Sequence, residues 1–455
     1  MICLGLLILK YAHGEGLVCD SQSIGQVPTL KGLWEPHEDP SYRSLYDSNS
    51  CPAWGQDWDC KRDGGAPEEQ IASVYRQVFK PFECDLRPWD AQKFAQCTAK
   101  KRIIMIGDSL MRQQFQSLAC LTSNVSVKGE HHNWDQEEIP VARSRNYTAR
   151  GIGGDFVIPR QYIGNFDLES GTRVYLRAYG RFNLSLWDDS MAEFQPFTED
   201  DVIVVNFGAW YPRYNMHEPG DPWKAWQDDM TELINLRLSR YAAQSFWRSS
   251  TATHFGGING TMTFDKDSCQ ALADSGRCPQ SPLNESWYED WMKMFLRSCG
   301  PKCAKVRLLP VFDLTQARYD AHHGNFGRGK DTWVLDCRHF CSPVVDVWNQ
   351  VLFNLMLRAS DDVTWGGGNL HGIYAREPPL PDFQNFMRMA AERKCLPSWW
   401  QPKDNAAIEK MAMTDQWANI NSAVEKSDIS EHYDGTTPMM LRMLAEAMTG
   451  KSLNG

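Results

Sequence analysis

The chain has 455 residues, 42% apolar and 23% charged, with a net charge of -10 at pH 7. This composition excludes a largely disordered protein and leaves room for one large α/β domain with appendages, or for two to three average domains. With no basic run longer than Lys100 to Arg102, the chain lacks the positive footprint that nucleic-acid binding requires.

In chain order, Ile2 to Leu9 is apolar but far shorter than the ~20 residues that span a bilayer. Residues 1–18 read as a signal peptide, with Ala12 and Gly14 as small residues near a cleavage point, or as the end of a membrane anchor. Either leads into the secretory pathway; the bland alternative is a short buried strand. Fourteen cysteines, in neither CxxC nor zinc-type spacing, favour disulfides over a metal site. Sequons beginning at Asn124, Asn146, Asn183, Asn259 and Asn284 fit the same oxidising, glycosylating compartment.

Residues 19–95 are rich in Pro, Gly, Trp and Asp and carry Cys19, Cys51, Cys60 and Cys84. They read as a loop-rich, stapled module with little core of its own. Strand-like and helix-like runs then alternate through residues 96–360: a strand at Ile103 to Ile106 and a helix from Leu110, a buried strand at Val202 to Asn206, a helix over Trp223 to Ala243, a strand at Val306 to Phe312, and a helix over Val344 to Leu357. Such alternation predicts a mainly parallel sheet flanked by helices. From Asp361, past the Gly366-Gly367-Gly368 run, the chain is Met-rich, and residues 361–455 read as a helical appendix without chemistry of its own.

Three strand ends carry candidate chemistry. In "IIMIGDSLMRQQF", Gly107 permits a tight turn and Ser109 stands at the strand's carboxyl end, where a helix N-terminus aims amides at a reacting atom. By itself the tripeptide also suits an ordinary turn. In "VLDCRHFC", His339 is a candidate general base with Asp336 behind it, while a solvated Asp and a surface His are the alternative. In "DVIVVNFGAWYP", Asn206 ends an apolar strand as a candidate oxyanion donor or as a turn cap, with Trp210 nearby.

These segments together resemble the plant trichome-birefringence-like proteins, a PC-esterase family with an SGNH/GDSL-type fold that O-acetylates cell-wall polysaccharides. Gly107, Asp108, Ser109, Arg112 and Gln114 match its first signature, with Gln113 in place of the usual Asn, and Cys120 fits its "SLxC" element. Asp336, Cys337, His339, Cys341, Pro343, Asp346, Trp348 and Asn349 match the second. "CPAWGQDWDC" and "FKPFECDLRPWD" look like the family's N-terminal module, "RYDAHHG" like its Arg-x-Asp-x-His element, and "WRSSTATHF" like its Ser-Pro-x-His segment without the proline. Arg338 and Phe340 depart from the usual residues beside the histidine.

The resemblance implies an SGNH-like α/β fold with a disulfide-stapled N-terminal module and a smaller lobe. It implies Ser109, His339 and Asp336 as a triad and an oxyanion hole at the Ser109 N–H, Asn206 and a glycine such as Gly153 or Gly154. It further implies substrate contacts at Arg112, His254, Trp210, Arg318 and His322, and disulfides Cys19–Cys84, Cys51–Cys120, Cys60–Cys341 and Cys269–Cys337. No bound cofactor or metal is expected. An acetyl donor such as acetyl-CoA and a polysaccharide acceptor are the expected substrates, with residence in the Golgi lumen and membrane contact only through an N-terminal anchor. An acetylesterase with the same triad and a non-catalytic glycan-binding protein are the alternatives.

Overall fold

A computed structural model describes residues 31–39, 68–127, 133–140, 148–149, 156–157, 160–209, 222–255, 275–280, 287–326 and 335–361, together with Cys19, Leu30, Tyr46, Cys51, Ala53, Trp54, Cys60 and Tyr211. The leader expected over 1–18 lies outside them, Cys19 being the first described residue, and so does the appendix expected over 361–455 except for Asp361, which ends a helix begun at Ser342. Among the described residues, no helix is long and apolar enough to cross a membrane.

The chain forms β1 (Gly32–Pro36), α1 (Glu68–Tyr75), β2 (Gln77–Pro81), α2 (Ala91–Cys97), β3 (Arg102–Gly107) and α3 (Ser109–Leu121). Then come β4 (Asn133–Pro140), β5 (Thr148–Ala149), β6 (Phe156–Val157), β7 (Arg160–Asp167), β8 (Arg173–Ala178), α4 (Leu184–Met191) and β9 (Asp201–Asn206). The rest is α5 (Pro222–Leu236), β10 (Gln244–Arg248), α6 (Trp287–Cys299), β11 (Val306–Leu309), α7 (Phe312–Gln316) and α8 (Ser342–Asp361).

The central sheet runs β11-β10-β9-β3-β8-β7-β4. Its first five strands are parallel, and β7 and β4 add an antiparallel edge. β3 and β9 are buried almost throughout, as strands covered on both faces must be. Helices α2, α3 and α8 pack on one face, against Ile103, Met105, Val202, Val204 and Phe246. Helices α4, α5 and α6 cover the other, against Ile104, Ile106, Ile203, Val205 and Trp247. Among the parallel strands the chain runs from β3 out to β8 and then back to β9 on the other side. This reversal makes the carboxyl ends of β3 and β9 the topological switch point, where open α/β sheets place their ligands.

The N-terminal module is less loop-like than its composition suggests. β1 and β2 form an antiparallel pair, and Cys19, Cys51, Cys60 and Phe79 lie in the same buried cluster as α3 and α8. The strand expected to reach Phe312 ends at Leu309, because Pro310 has no N–H for a ladder, and Phe312 opens α7. The helix expected to reach Ala243 stops at Leu236 and passes into a 3₁₀ turn over Leu238–Arg240.

Four disulfides fasten this frame: Cys19–Cys84, Cys51–Cys120, Cys60–Cys341 and Cys278–Cys337. Cys299–Cys303 is a fifth, local link that the sequence reading did not anticipate. The fourth corrects the expected Cys269–Cys337 pairing: Cys278 occupies the single sulfur bond that Cys337 can make, buried with Phe255 and Leu335, and Cys269 lies outside the described residues.

Candidate active site

Ser109 is the first residue of α3, immediately after the buried strand β3. Gly107 is required here because of its neighbour strand: it pairs with Asn206, and a Cβ at 107 would stand 2.2 Å from the Asn206 carbonyl oxygen. Asp108 caps α3, accepting from the Leu110 N–H through Oδ1 at 3.0 Å, and its Oδ2 accepts from the Ala209 N–H at 3.1 Å. The Met111 and Arg112 amides donate to the Asp108 carbonyl. Of the first-turn amides only that of Ser109 is not engaged by Asp108, and it lies at the positive end of the helix dipole.

His339 and Asp336 arrive from a loop 230 residues away in sequence. Ser109 Oγ lies 2.8 Å from His339 Nε2, and His339 Nδ1 lies 2.8 Å from Asp336 Oδ2. Asp336 Oδ1 accepts the Arg338 and His339 amides, both at 3.1 Å. Burial works to raise the Asp336 carboxyl pKa, but the His339 ring, its hydrogen bonds and the nearby His323 outweigh it and hold Asp336 well below the usual carboxylate range. An ionised Asp336 can only accept, so His339 carries its proton on Nδ1 and presents the Nε2 lone pair to the Ser109 hydroxyl.

The loop is held on every side. Gln113, one turn along α3 from Ser109, donates through Nε2 to the Phe340 carbonyl at 2.9 Å and accepts the Phe340 N–H on Oε1. The residue that departs from the family's asparagine therefore couples the helix of Ser109 to the loop of His339. His323 donates its backbone N–H to the His339 carbonyl, and Cys341 donates its own to Ala321. Gly324 passes so close beneath the acid that a Cβ there would meet the Asp336 carbonyl oxygen at 2.8 Å. Cys337 and Cys341 bond to Cys278 and Cys60 on either side of His339.

Residues 86–355 match the family model described as PC-Esterase, the GDSL/SGNH-like acyl-esterase family found in Pmr5 and Cas1p. The chain belongs to the PC-esterase family. It is similar to Arabidopsis thaliana proteins named trichome birefringence-like 41 (25% identical over 381 residues, 77% of this chain and 94% of the relative) and 40 (26% over 379 residues, 77% and 96%). It is also similar to trichome birefringence-like 43 of the same plant, 25% identical over 395 residues, 78% of this chain and 95% of the relative. The PC-esterase family is one of acyl-modifying enzymes, and the disulfides place this member in the secretory pathway.

Not every residue singled out in the sequence stands in the PC-esterase site as expected. His254 and His322 are fully buried, and correct the expectation that they touch substrate: His254 Nδ1 lies 2.6 Å from His322 Nε2, and His322 Nδ1 faces the His339 carbonyl at 3.1 Å. His254 Nε2 faces the Gln316 carbonyl at 2.9 Å, so the pair bridges two backbone carbonyls beneath the loop, and burial lowers the His254 pKa to about 4 and that of His322 well below its ordinary value. Arg318 is likewise buried, ion-paired with Asp320 at 2.8 Å and lying over the Trp34 ring at 4.4 Å, where it joins the loop to β1. Arg112 is half-buried one turn from Ser109, over the Tyr162 ring at 3.8 Å. Trp210, Gly153 and Gly154 lie outside the described residues.

Asn206 is at the switch point, 1% exposed, but it does not act alone. Its Nδ2 donates to the Arg248 carbonyl at 2.9 Å, and Arg248 Nη2 donates to its Oδ1 at 2.7 Å. Arg248 escaped the sequence reading because a charged residue at a strand's end ordinarily faces solvent.

Proposed function

We propose that the protein is a polysaccharide O-acetyltransferase working by double displacement. The observation that carries this reading is the unbroken hydrogen-bonded row Ser109–His339–Asp336 at the switch point of the sheet. His339 Nε2 takes the Ser109 proton as Oγ attacks the acetyl carbonyl of the donor. The oxyanion is held by the Ser109 N–H and by Asn206, and His339 returns the proton to the departing group, a thiolate if the donor is acetyl-CoA. The acetyl group is then an ester of Ser109. A sugar hydroxyl gives its proton to His339, attacks that ester, and Ser109 leaves with the proton restored. The likeness to trichome-birefringence-like proteins supports the carbohydrate acceptor, and the disulfides support passage through the secretory pathway, which we read as residence in the Golgi lumen.

A second reading, an acetylesterase in which water is the acceptor, is favoured by the acyl-esterase description of the family. Incubation with an acetyl donor, with and without cell-wall polysaccharides, separates the two. Acetylated glycan is expected from the wild type, and Ser109→Ala is expected to lose roughly 10⁴-fold or more in kcat. Acetate release indifferent to any glycan would leave the esterase, and undiminished turnover by Ser109→Ala would end the acyl-serine mechanism.

A further inference from the structure

Arg248 is fully buried at the end of β10, two residues beyond Phe246 and on the same face of the sheet, among apolar side chains. Its Nε and Nη1 have no hydrogen-bond partner among the described residues. Apart from the Trp348 ring 4.9 Å away, its one directed contact from the guanidinium among the described residues is the Nη2 bond to Asn206 Oδ1. Burying a guanidinium with two unmatched donors is costly.

The contact has a chemical consequence. An asparagine amide can lie in its site in two ways that differ by exchange of O and N. A guanidinium only donates and a carbonyl only accepts, so Arg248 Nη2 on one side and the Arg248 carbonyl on the other permit a single orientation, with Oδ1 toward Nη2. Nδ2 carries two hydrogens. Arg248 takes one, and the second has no acceptor among the described residues. Asn206 pairs in register with Gly107, two residues before Ser109.

We propose that Arg248 is a positioning residue for acyl transfer, locking the Asn206 amide so that its second Nδ2–H serves the oxyanion that forms on the Ser109 adduct. The inference rests on the acyl-serine reading above. Burial lowers the Arg248 pKa to about 10, with Asp108 opposing the shift, so the side chain stays cationic at neutral pH and polarises the amide from behind.

The test is a double-mutant cycle on 4-nitrophenyl acetate, using the full chain with its disulfides formed. Asn206→Ala is expected to lower kcat by roughly 10²-fold with KM changed by less than about 2-fold, as for the loss of one oxyanion donor. Arg248→Met is expected to lower kcat about 10-fold or more at unchanged KM, and to add less than about 2-fold in the Asn206→Ala background. Losses that multiply across the cycle, or an Arg248→Met enzyme with wild-type kcat, would overturn the inference. Should Arg248→Met fail to give a cooperative thermal transition, Arg248→Lys takes its place, keeping charge and stem without the planar fork. The same fall in kcat supports the assignment, and wild-type kcat refutes it. Asn206→Asp retains a partner for Arg248 while removing the donor, so it is expected to fold at least as stably as Asn206→Ala and to be as slow; a fast Asn206→Asp enzyme refutes the donor role. Hydrolysis independent of Ser109 would remove the underlying reading as well, whereas Ser109-dependent hydrolysis with an additive cycle removes the Arg248 assignment alone.

Discussion

Replacing Cys278 by alanine cuts the link to Cys337 that closes a loop of sequence separation 59 beside His339. In the chain-entropy model a closed loop of that length withholds about 4 kcal/mol of conformational freedom from the unfolded state. Little packing is lost in exchange, since Cys278 is a small member of a four-residue cluster with Phe255, Leu335 and Cys337. A domain this large shifts its Tm by about 2 °C per kcal/mol, so a fall of roughly 8 °C is expected. The kcat should fall as well, because Cys337 lies between Asp336 and His339 and its anchor fixes their approach to Ser109. Differential scanning fluorimetry reads the first effect, and acetyl-ester turnover the second. Peptide mapping without reduction should recover Cys278 joined to Cys337, and Cys269→Ala should leave that linked peptide in place. A Cys269-to-Cys337 peptide, or a Cys278→Ala protein with unchanged Tm, would refute the reasoning.

Gly107→Ala forces a Cβ to within 2.2 Å of the Asn206 carbonyl oxygen, a backbone atom in a central strand that cannot swing aside. A loss of about 3 kcal/mol or more, seen as a lowered midpoint in urea, is expected, and an unchanged midpoint would contradict the close approach. Asp346 accepts from Tyr46 Oη at 2.5 Å and Ser117 Oγ at 2.7 Å, and burial raises its pKa to about 7 in spite of those donors. The folded state therefore holds a proton that the unfolded chain releases near pH 4, so this contribution is complete below that pH and is lost as pH rises through 7, by up to about 4 kcal/mol. Glu289, also raised to about 7, acts with the same sign. The depressed Asp336 acts with the opposite sign, and only below about pH 4. Thermal melts between pH 4 and 7 should thus show a smaller decline for Asp346→Asn than for wild type, and parallel profiles would exclude Asp346 as a source.

The strands that carry the nucleophile and Asn206 were legible because both are continuous apolar runs buried on two faces. β8 was not, because Arg173, Tyr175 and Arg177 interrupt its apolar positions, the last neutralised by Glu193 and lying over Phe194. β10 was hidden for a similar reason: Gln244, Ser245 and Arg248 give a five-residue strand a polar profile, although Ser245 and Arg248 are fully buried. Ser109 and the Asp336–His339 pair were legible as residue types in two short segments, but the distances between them depend on the register of the whole sheet. The sequence also offered no physical ground for choosing Cys278 over Cys269, because two cysteines nine positions apart in a polar stretch differ only in where the chain carries them. His254, His322 and Arg318 were misread because a polar residue near a site and a polar residue supporting it have the same composition. Burial, which separates them, is not a local property.

The proposed nucleophile stands at residue 109 and its proposed base at residue 339, with six of the seven sheet strands begun only after β3 is complete. A chain leaving the ribosome in order therefore presents Ser109 long before anything exists to take its proton. Competence arrives with the last loop before α8, and the link from Cys341 back to Cys60 fixes that loop to the N-terminal part of the chain. On the proposed mechanism an intermediate stalled anywhere short of that closure is chemically silent, so acyl groups would be handled only by molecules whose folding has run to the end.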